Sequence, residues 1–402
     1  MAESSERDLT RAAVLRAVAL HGPLSRTAIA RHLDVSPATV TALARALLAD
    51  GLVEPAGKEP GNSRGRPAEL LRVVPGAAVL LGAKVSAAGV TGVVADLSGS
   101  PLAEFQALFE ADVPDPIGAL TAVLAPQVEL AGGSLIGIGL GVPGVVDVAE
   151  GRVTALTLGW QDLAVGPELS QRLALPVVVD NDVHTLAIAE HLYGRARDVD
   201  DVLTVTVGRG VGLAITVGGR LHRGPRGGAG EFGHTQGVED GPRCACGRNG
   251  CLEAIVSEPA MVRRARDEGL LPDEGTIADL RAAADADTPG VRAVFEAAGA
   301  VLGRRVGDLV NLLAPSLVLV SGEGTASWSH LEPAFQAAFD AQVLATHSDV
   351  EVVVDRWDDR AWARGATALL LGSVYAPEHF TGTAQTEVRN RLQAVGGGGG
   401  GR

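Results

Sequence analysis

VLLGAKVSAAGVTGVVAD (residues 79–96) and VLTVTVGRGVGLAITV (residues 202–217) each read as a strand, a glycine-containing turn and a second strand. Meeting that pattern twice in one chain points to an internal duplication. The first copy continues through SLIGIGL (134–140) and PVVVD (176–180) into a helix beginning near Val183. The second continues through LVLVSG (317–322) and EVVVD (351–355), with Ala-rich helices expected at 257–268, 275–284 and 290–313. Strands alternating with helices in two sets predict an α/β architecture of two lobes facing a cleft.

Working outward toward the N-terminus, the period changes. Residues 9–20 have helical periodicity, and Ser25 offers an N-cap for a short second helix whose Ile29 and Leu33 face inward. Ser36 caps a third helix, with Pro37 at its first position, where a missing N–H costs nothing. Val40, Leu43 and Leu47 form the buried stripe of that helix, and Gly51 ends it. Leu52-Val53 and Leu70–Val74 then read as short strands around a polar, Gly-rich loop at 57–67. Residues 1–75 are therefore predicted to be a winged helix-turn-helix, 76–195 the first lobe and 196–380 the second. A helix at about Ala361–Ser373 is expected to pack back on the body, and 381–402, which contain Gly396–Gly401, to form a flexible tail.

Composition narrows the function classes. The 402 residues are 46% hydrophobic, enough to bury a large core. The net charge of −14 argues against general affinity for nucleic acid, but residues 1–75 hold ten Lys and Arg against eight Asp and Glu, so only that segment approaches phosphates without strong repulsion. No apolar run is long enough to span a membrane, and MAESSERDLT lacks the layout of a signal peptide, so a cytoplasmic location is expected.

The three cysteines lie between Cys244 and Cys251, too few and too clustered for a disulfide framework. His234, Cys244, Cys246 and Cys251 together offer three thiolates and an imidazole, a closed tetrahedral set suited to structural Zn²⁺ with no open position for catalysis. Gly247 and Gly250 would let the loop curl around the ion.

GLGVPGVVD (139–147), VVVDNDVHTLAIAEHLYG (177–194), GGAGEFGH (227–234) and CACGRNGCLE (244–253) together resemble the ROK family of bacterial sugar kinases and repressors, over residues 80–373. The resemblance implies the actin-like, hexokinase-like two-lobed fold, and the added winged helix is similar to the family's repressor branch. It also implies that Asn181 and Asp182, at the strand-to-helix turn, contact sugar hydroxyls, and that Glu231 and Glu253 bind others from the second lobe. Read alone, an Asn-Asp pair at that point caps a helix. His234, oriented by the metal, can turn its second ring nitrogen to a hydroxyl. Thr157 stands where many relatives have Asn and keeps a hydroxyl for contact.

The kinase equipment is altered. Active relatives resemble one another in an Asp-x-Gly-Gly-Thr first hairpin, where this chain has Lys84-Val85-Ser86-Ala87-Ala88. An ammonium cannot ligate Mg²⁺ and alanine supplies no hydroxyl, so the reading is a kinase-like domain that is not an enzyme. Lys84 is expected near Asp182, compensating its charge. In the second hairpin Gly208-Arg209-Gly210 replaces the family's Gly-Thr-Gly, which leaves either an unusual anion site or a side chain filling a vacated nucleotide cleft.

A helix-turn-helix lays the start of its second helix in the major groove, which makes Ser36, Ala38, Thr39, Thr41 and Arg45 candidates for DNA contact. Arg64 and Arg66, in an extended Arg-Gly-Arg-Pro wing, suit the minor groove. The expected function is a sugar-responsive transcriptional repressor acting on operator DNA, with a sugar or sugar phosphate as effector, no membrane partner, and a homodimer or dimer of dimers as the assembly. Two alternatives are an ATP-dependent sugar kinase with a regulatory DNA-binding domain, and a constitutive DNA-binding protein with a vestigial sugar pocket.

Overall fold

A computed structural model of the chain describes residues 6–59, 67–355, 359–376 and 382–397. Two compact units emerge. One takes in Met1–Gly194 and Asp359–Arg402, the other Arg195–Asp358.

The N-terminal part of the first unit comprises the helices Glu6–His21, Arg26–His32 and Pro37–Ala49 and a three-stranded sheet in which Glu69–Val73 lies between Leu24–Ser25 and Val53–Lys58. The caps are those the sequence calls for: Ser25 Oγ accepts from Ala28 N–H at 3.3 Å and Ser36 Oγ from Thr39 N–H at 3.1 Å. Val14, Ile29, Val40, Leu43 and Leu47 close the core between these helices. This is a winged helix-turn-helix. The wing arginines Arg64 and Arg66 lie outside the described residues.

The rest of the first unit is a five-stranded sheet, in the order Val177–Asn181, Leu135–Val142, Val79–Ser86, Gly89–Asp96, Pro101–Ala107. The first three strands run parallel and the last two are antiparallel additions. The second unit repeats this topology. Its order is Glu351–Val354, Leu317–Ser321, Val202–Val207, Val211–Val217, Arg220–His222, again three parallel strands followed by two antiparallel ones. Its helices Glu258–Asp267, Ile277–Asp285 and Val291–Leu313 fall where the apolar periodicity places them. The last packs along Trp328–Gln342 around the fully buried Phe295 and Phe335.

The expected helix does pack back on the body, but the boundary of the second lobe at 380 and the flexible tail need correction. The helix Asp359–Tyr375 follows the second unit in sequence, yet it packs on the sheet of the first, beside the helix Asp182–Tyr193. It also touches the first helix of the winged domain. The tail expected to be flexible from residue 381 is helical over Thr383–Gly397. Val388 and Leu392, one helical turn apart, are buried there, and Val388 packs beside Gly137 of the central strand Leu135–Val142.

Candidate functional site

In the second unit the segment from Glu231 to Glu253 gathers most of the chemistry. Cys244 Sγ lies 3.6 Å from His234 Nδ1 and Cys246 Sγ lies 3.6 Å from Cys251 Sγ. All four ligand atoms fall within 4.8 Å of one another. A tetrahedral ion with Zn–S near 2.3 Å sets sulfurs about 3.8 Å apart, close to the Cys246–Cys251 separation, and side-chain shifts of about an ångström would bring the remaining ligand atoms into the same set. The cluster can hold a metal.

The loop around it is shaped by its backbone. Gly247 and Gly250 take left-handed φ values of +89° and +72°. The Arg248 backbone N–H lowers the Cys246 thiol to about 6, assisted by the Arg248 guanidinium, whereas burial pushes Cys251 up to about 12. Arg248, which the sequence reading passed over, also donates from Nη2 to His234 O at 2.7 Å and so pins the imidazole's own backbone.

Metal ligation through Nδ1 leaves His234 Nε2 directed elsewhere, and the carboxylate of Glu231 lies 3.9 Å from it. Glu253 opens the short helix Glu253–Val256, and its Oε2 accepts from Val211 N–H at 3.2 Å. Glu231, His234, Glu253 and the three cysteines are thus brought together within one unit.

In the first unit Asn181 and Asp182 sit where the strand Val177–Asn181 turns into the helix Asp182–Tyr193. Asn181 does cap that helix, as the plain reading of the pair has it: its Oδ1 accepts from Val183 N–H at 2.8 Å and His184 N–H at 3.2 Å. Its Nδ2 donates to Gly144 O at 2.8 Å, tying the cap to the GVPG loop. Thr157 is exposed between the strands Arg152–Ala155 and Trp160–Leu163.

Lys84, Gly141 and Asp180 pair in register across three neighbouring strands and so share a face of the sheet. Asp180 is fully buried and accepts from His184 Nδ1 at 2.9 Å. Lys84 is 6% exposed, and its ammonium lies 3.7 Å from the ring centroid of Trp362, on the helix Asp359–Tyr375. Lys84 and Asp182 stand at the same end of one sheet, where the ammonium faces the Trp362 ring. Arg209 in turn places Nη2 at 3.6 Å from Glu323 Oε1.

Ser36, Ala38, Thr39, Thr41 and Arg45 are all exposed on the third helix. The hydroxyls of Ser36 and Thr41 also serve the helix itself, the latter donating to Pro37 O at 2.7 Å.

The sequence profile of the ROK family matches residues 88–373. The chain belongs to the ROK family. A second profile, that of the MarR family, matches residues 8–65 and covers the helix-turn-helix. The N-acetylglucosamine repressor of Escherichia coli O6:H1 (strain CFT073) is 30% identical over 377 residues, which are 90% of this chain and 92% of that protein. The crystal structure of a ROK family transcriptional regulator, a homologue of the E. coli MLC protein, superposes with a TM-score of 0.79 at 26% identity, covering 97% of this chain and 98% of that one. A ROK family glucokinase from Streptomyces griseus, in complex with glucose and AMPPNP, superposes with a TM-score of 0.64 at 27% identity over 72% of this chain and 98% of its own. The match to the regulator and that to the repressor take in 97% and 90% of this chain, the match to the kinase 72%. Among the described residues no helix is long and apolar enough to cross a membrane.

Proposed function

We propose that this ROK protein is a sugar-responsive transcriptional repressor of carbohydrate genes whose kinase-like domain senses sugar without phosphorylating it. The observation that carries the reading is the joining, in one chain, of a winged helix-turn-helix to a ROK domain; the resemblance to the family's kinases supports it further, since it sets Lys84 where they carry a magnesium-organising carboxylate. A buried ammonium held on Trp362 repels Mg²⁺, and Ala87 and Ala88 supply no phosphate-binding hydroxyl.

Sugar hydroxyls are assigned to Asn181, Asp182, Glu231, His234 and Glu253, with Thr157 as a further contact. Each buried hydroxyl left without a partner costs on the order of 1–3 kcal/mol, which is why several acceptors are needed. Structural Zn²⁺ is assigned to His234, Cys244, Cys246 and Cys251; when bound it would supply rigidity, not reactivity. This chain's own part is to fix the His234 ring through Nδ1 and to hold Glu253 through the Val211 N–H. Ser36, Ala38, Thr39, Thr41 and Arg45 read the major groove and Arg64 and Arg66 the minor groove. The protein acts as a cytoplasmic dimer, or a dimer of dimers, on operator DNA.

Sugar alters DNA affinity only by binding two states of the protein unequally. The helix Asp359–Tyr375 is a physical route for that coupling, since it touches both the helix that begins at Asp182 and the first helix of the winged domain. The test combines a thermal-shift screen of sugars with fluorescence anisotropy on DNA selected by the full-length protein from a random pool. A sugar that stabilises the protein and changes DNA affinity, with no ADP released from ATP, is the expected result. Catalytic ADP release would establish the kinase alternative, and the absence of any stabilising sugar would favour a vestigial pocket.

A further inference from the structure

The turn Gly208–Arg209–Gly210 and the segment Gly322–Glu323–Gly324 meet inside the second unit. Gly322 has φ +102°, and a Cβ added to it would stand 2.3 Å from Val207 O, so no other residue permits so close a pass. The close pass sets the carboxylate of Glu323 directly over the turn. A Cβ on Gly208 would lie 2.1 Å from Glu323 Oε2, and Arg209 Nη2 faces Glu323 Oε1 at 3.6 Å. On the other side, Glu253 Oε2 accepts from Val211 N–H at 3.2 Å. A third carboxyl, Glu258, is held above its ordinary value by burial and then by the charge of Glu323, with Arg281 and Arg209 opposing. The carboxylates of Glu323 and Glu253 thus flank, from two sides, a turn that by resemblance to the family's kinases would approach phosphate.

We infer that Glu323 is the chain's own substitute for a phosphoryl group at this turn, so that the second unit rejects nucleotide and sugar phosphates and the effector is an unphosphorylated sugar. Of the two readings that Arg209 left open, an anion site or a filled cleft, this selects the second. Its guanidinium is engaged with an internal anion. A phosphate dianion would have to displace Glu323 or lie beside it, and at such short range like charges repel strongly even when partly solvated. The statement about the effector rests on the proposed regulatory function; the rejection of phosphate does not.

The test is calorimetric titration of the full-length protein and of Glu323→Gln with inorganic pyrophosphate, with Mg·AMPPNP, and with hexoses and N-acetylhexosamines paired with their 6-phosphates. The parent protein is expected to give no saturable binding of pyrophosphate or AMPPNP. The variant should bind pyrophosphate at least about tenfold more tightly, as removal of one adjacent negative charge requires. Circular dichroism checks folding, and Glu323→Ser serves as the second variant if the glutamine does not fold. Tighter binding of a 6-phosphate than of its parent sugar by the unaltered protein would overturn the inference, as would unchanged pyrophosphate affinity in both folded variants. If no sugar of either kind binds while the pyrophosphate gain appears, phosphate rejection stands and the regulatory reading falls.

Discussion

If the proposed function holds, replacing Cys251 by serine separates the proposed metal loop's part in sugar response from any part in DNA binding. Cys251 is 2% exposed with its sulfur 3.6 Å from that of Cys246, and Glu253 follows two residues later. A serine hydroxyl stays protonated at neutral pH, so the ion loses one of its four anchors. Without the ion, the loop depends on backbone hydrogen bonds such as Cys244 N–H to Arg248 O at 2.8 Å and Gly250 N–H to Pro242 O at 2.9 Å. Each contributes about 0.5–1.5 kcal/mol net, whereas ordering the backbone costs about 1–2 kcal/mol for every residue between Cys244 and Cys251. The balance favours loosening, and Glu253 then loses its fixed position. A carboxylate hydrogen bond to a sugar hydroxyl is worth about 1.5–3 kcal/mol, so sugar affinity should fall about 10- to 150-fold. Metal content by mass spectrometry, sugar affinity by calorimetry and DNA affinity by anisotropy are measured on the same preparation. The expected result is lost metal, weakened sugar binding and retained DNA binding by the sugar-free protein. A variant that has lost its metal and still binds sugar as tightly as the parent would refute the reasoning.

Arg45→Ala should weaken operator binding without changing sugar affinity and, if the guanidinium neutralises a phosphate, reduce the salt slope by about 0.9; an unchanged slope and affinity would remove Arg45 from the interface. Glu258→Gln should raise the melting temperature at neutral pH. A carboxyl whose folded-state value is raised destabilises the fold above that value, and this penalty vanishes as pH falls through the ordinary 4.5, so the gain should shrink toward acid; a constant gain would exclude its titration as the cause. Phe335→Ala, at a fully buried position between the two long helices of the second unit, should cost about 3–5 kcal/mol in denaturant unfolding.

Local chemistry made the winged helix legible. Ser25 and Ser36 are read correctly as caps because a cap needs only the following turn, and the helices of the second unit are equally readable from their apolar stripes. The grouping of His234 with the three cysteines was legible for a similar reason, since soft ligands are rare and their spacing is short. What escaped depended on distant partners or on backbone geometry. Trp362 means nothing in sequence until the fold lays it on Lys84, and Glu323 looks like any loop acid until the left-handed Gly322 aims it over Gly208. The helix Thr383–Gly397 was the one miss with a local signal, the pair Val388 and Leu392.

The placement of Asp359–Tyr375 bears on how the protein is made. Because that helix covers the sheet and braces the first helix of the winged domain, residues 195–358 amount to an excursion from a body that is finished only on their return. On the ribosome, the winged helix-turn-helix emerges before the helices Asp359–Tyr375 and Thr383–Gly397 that cover the same body. A nascent chain therefore carries a sheet face awaiting its cover throughout synthesis of the second unit, with apolar surface open to chaperones or to misassembly until both helices have emerged.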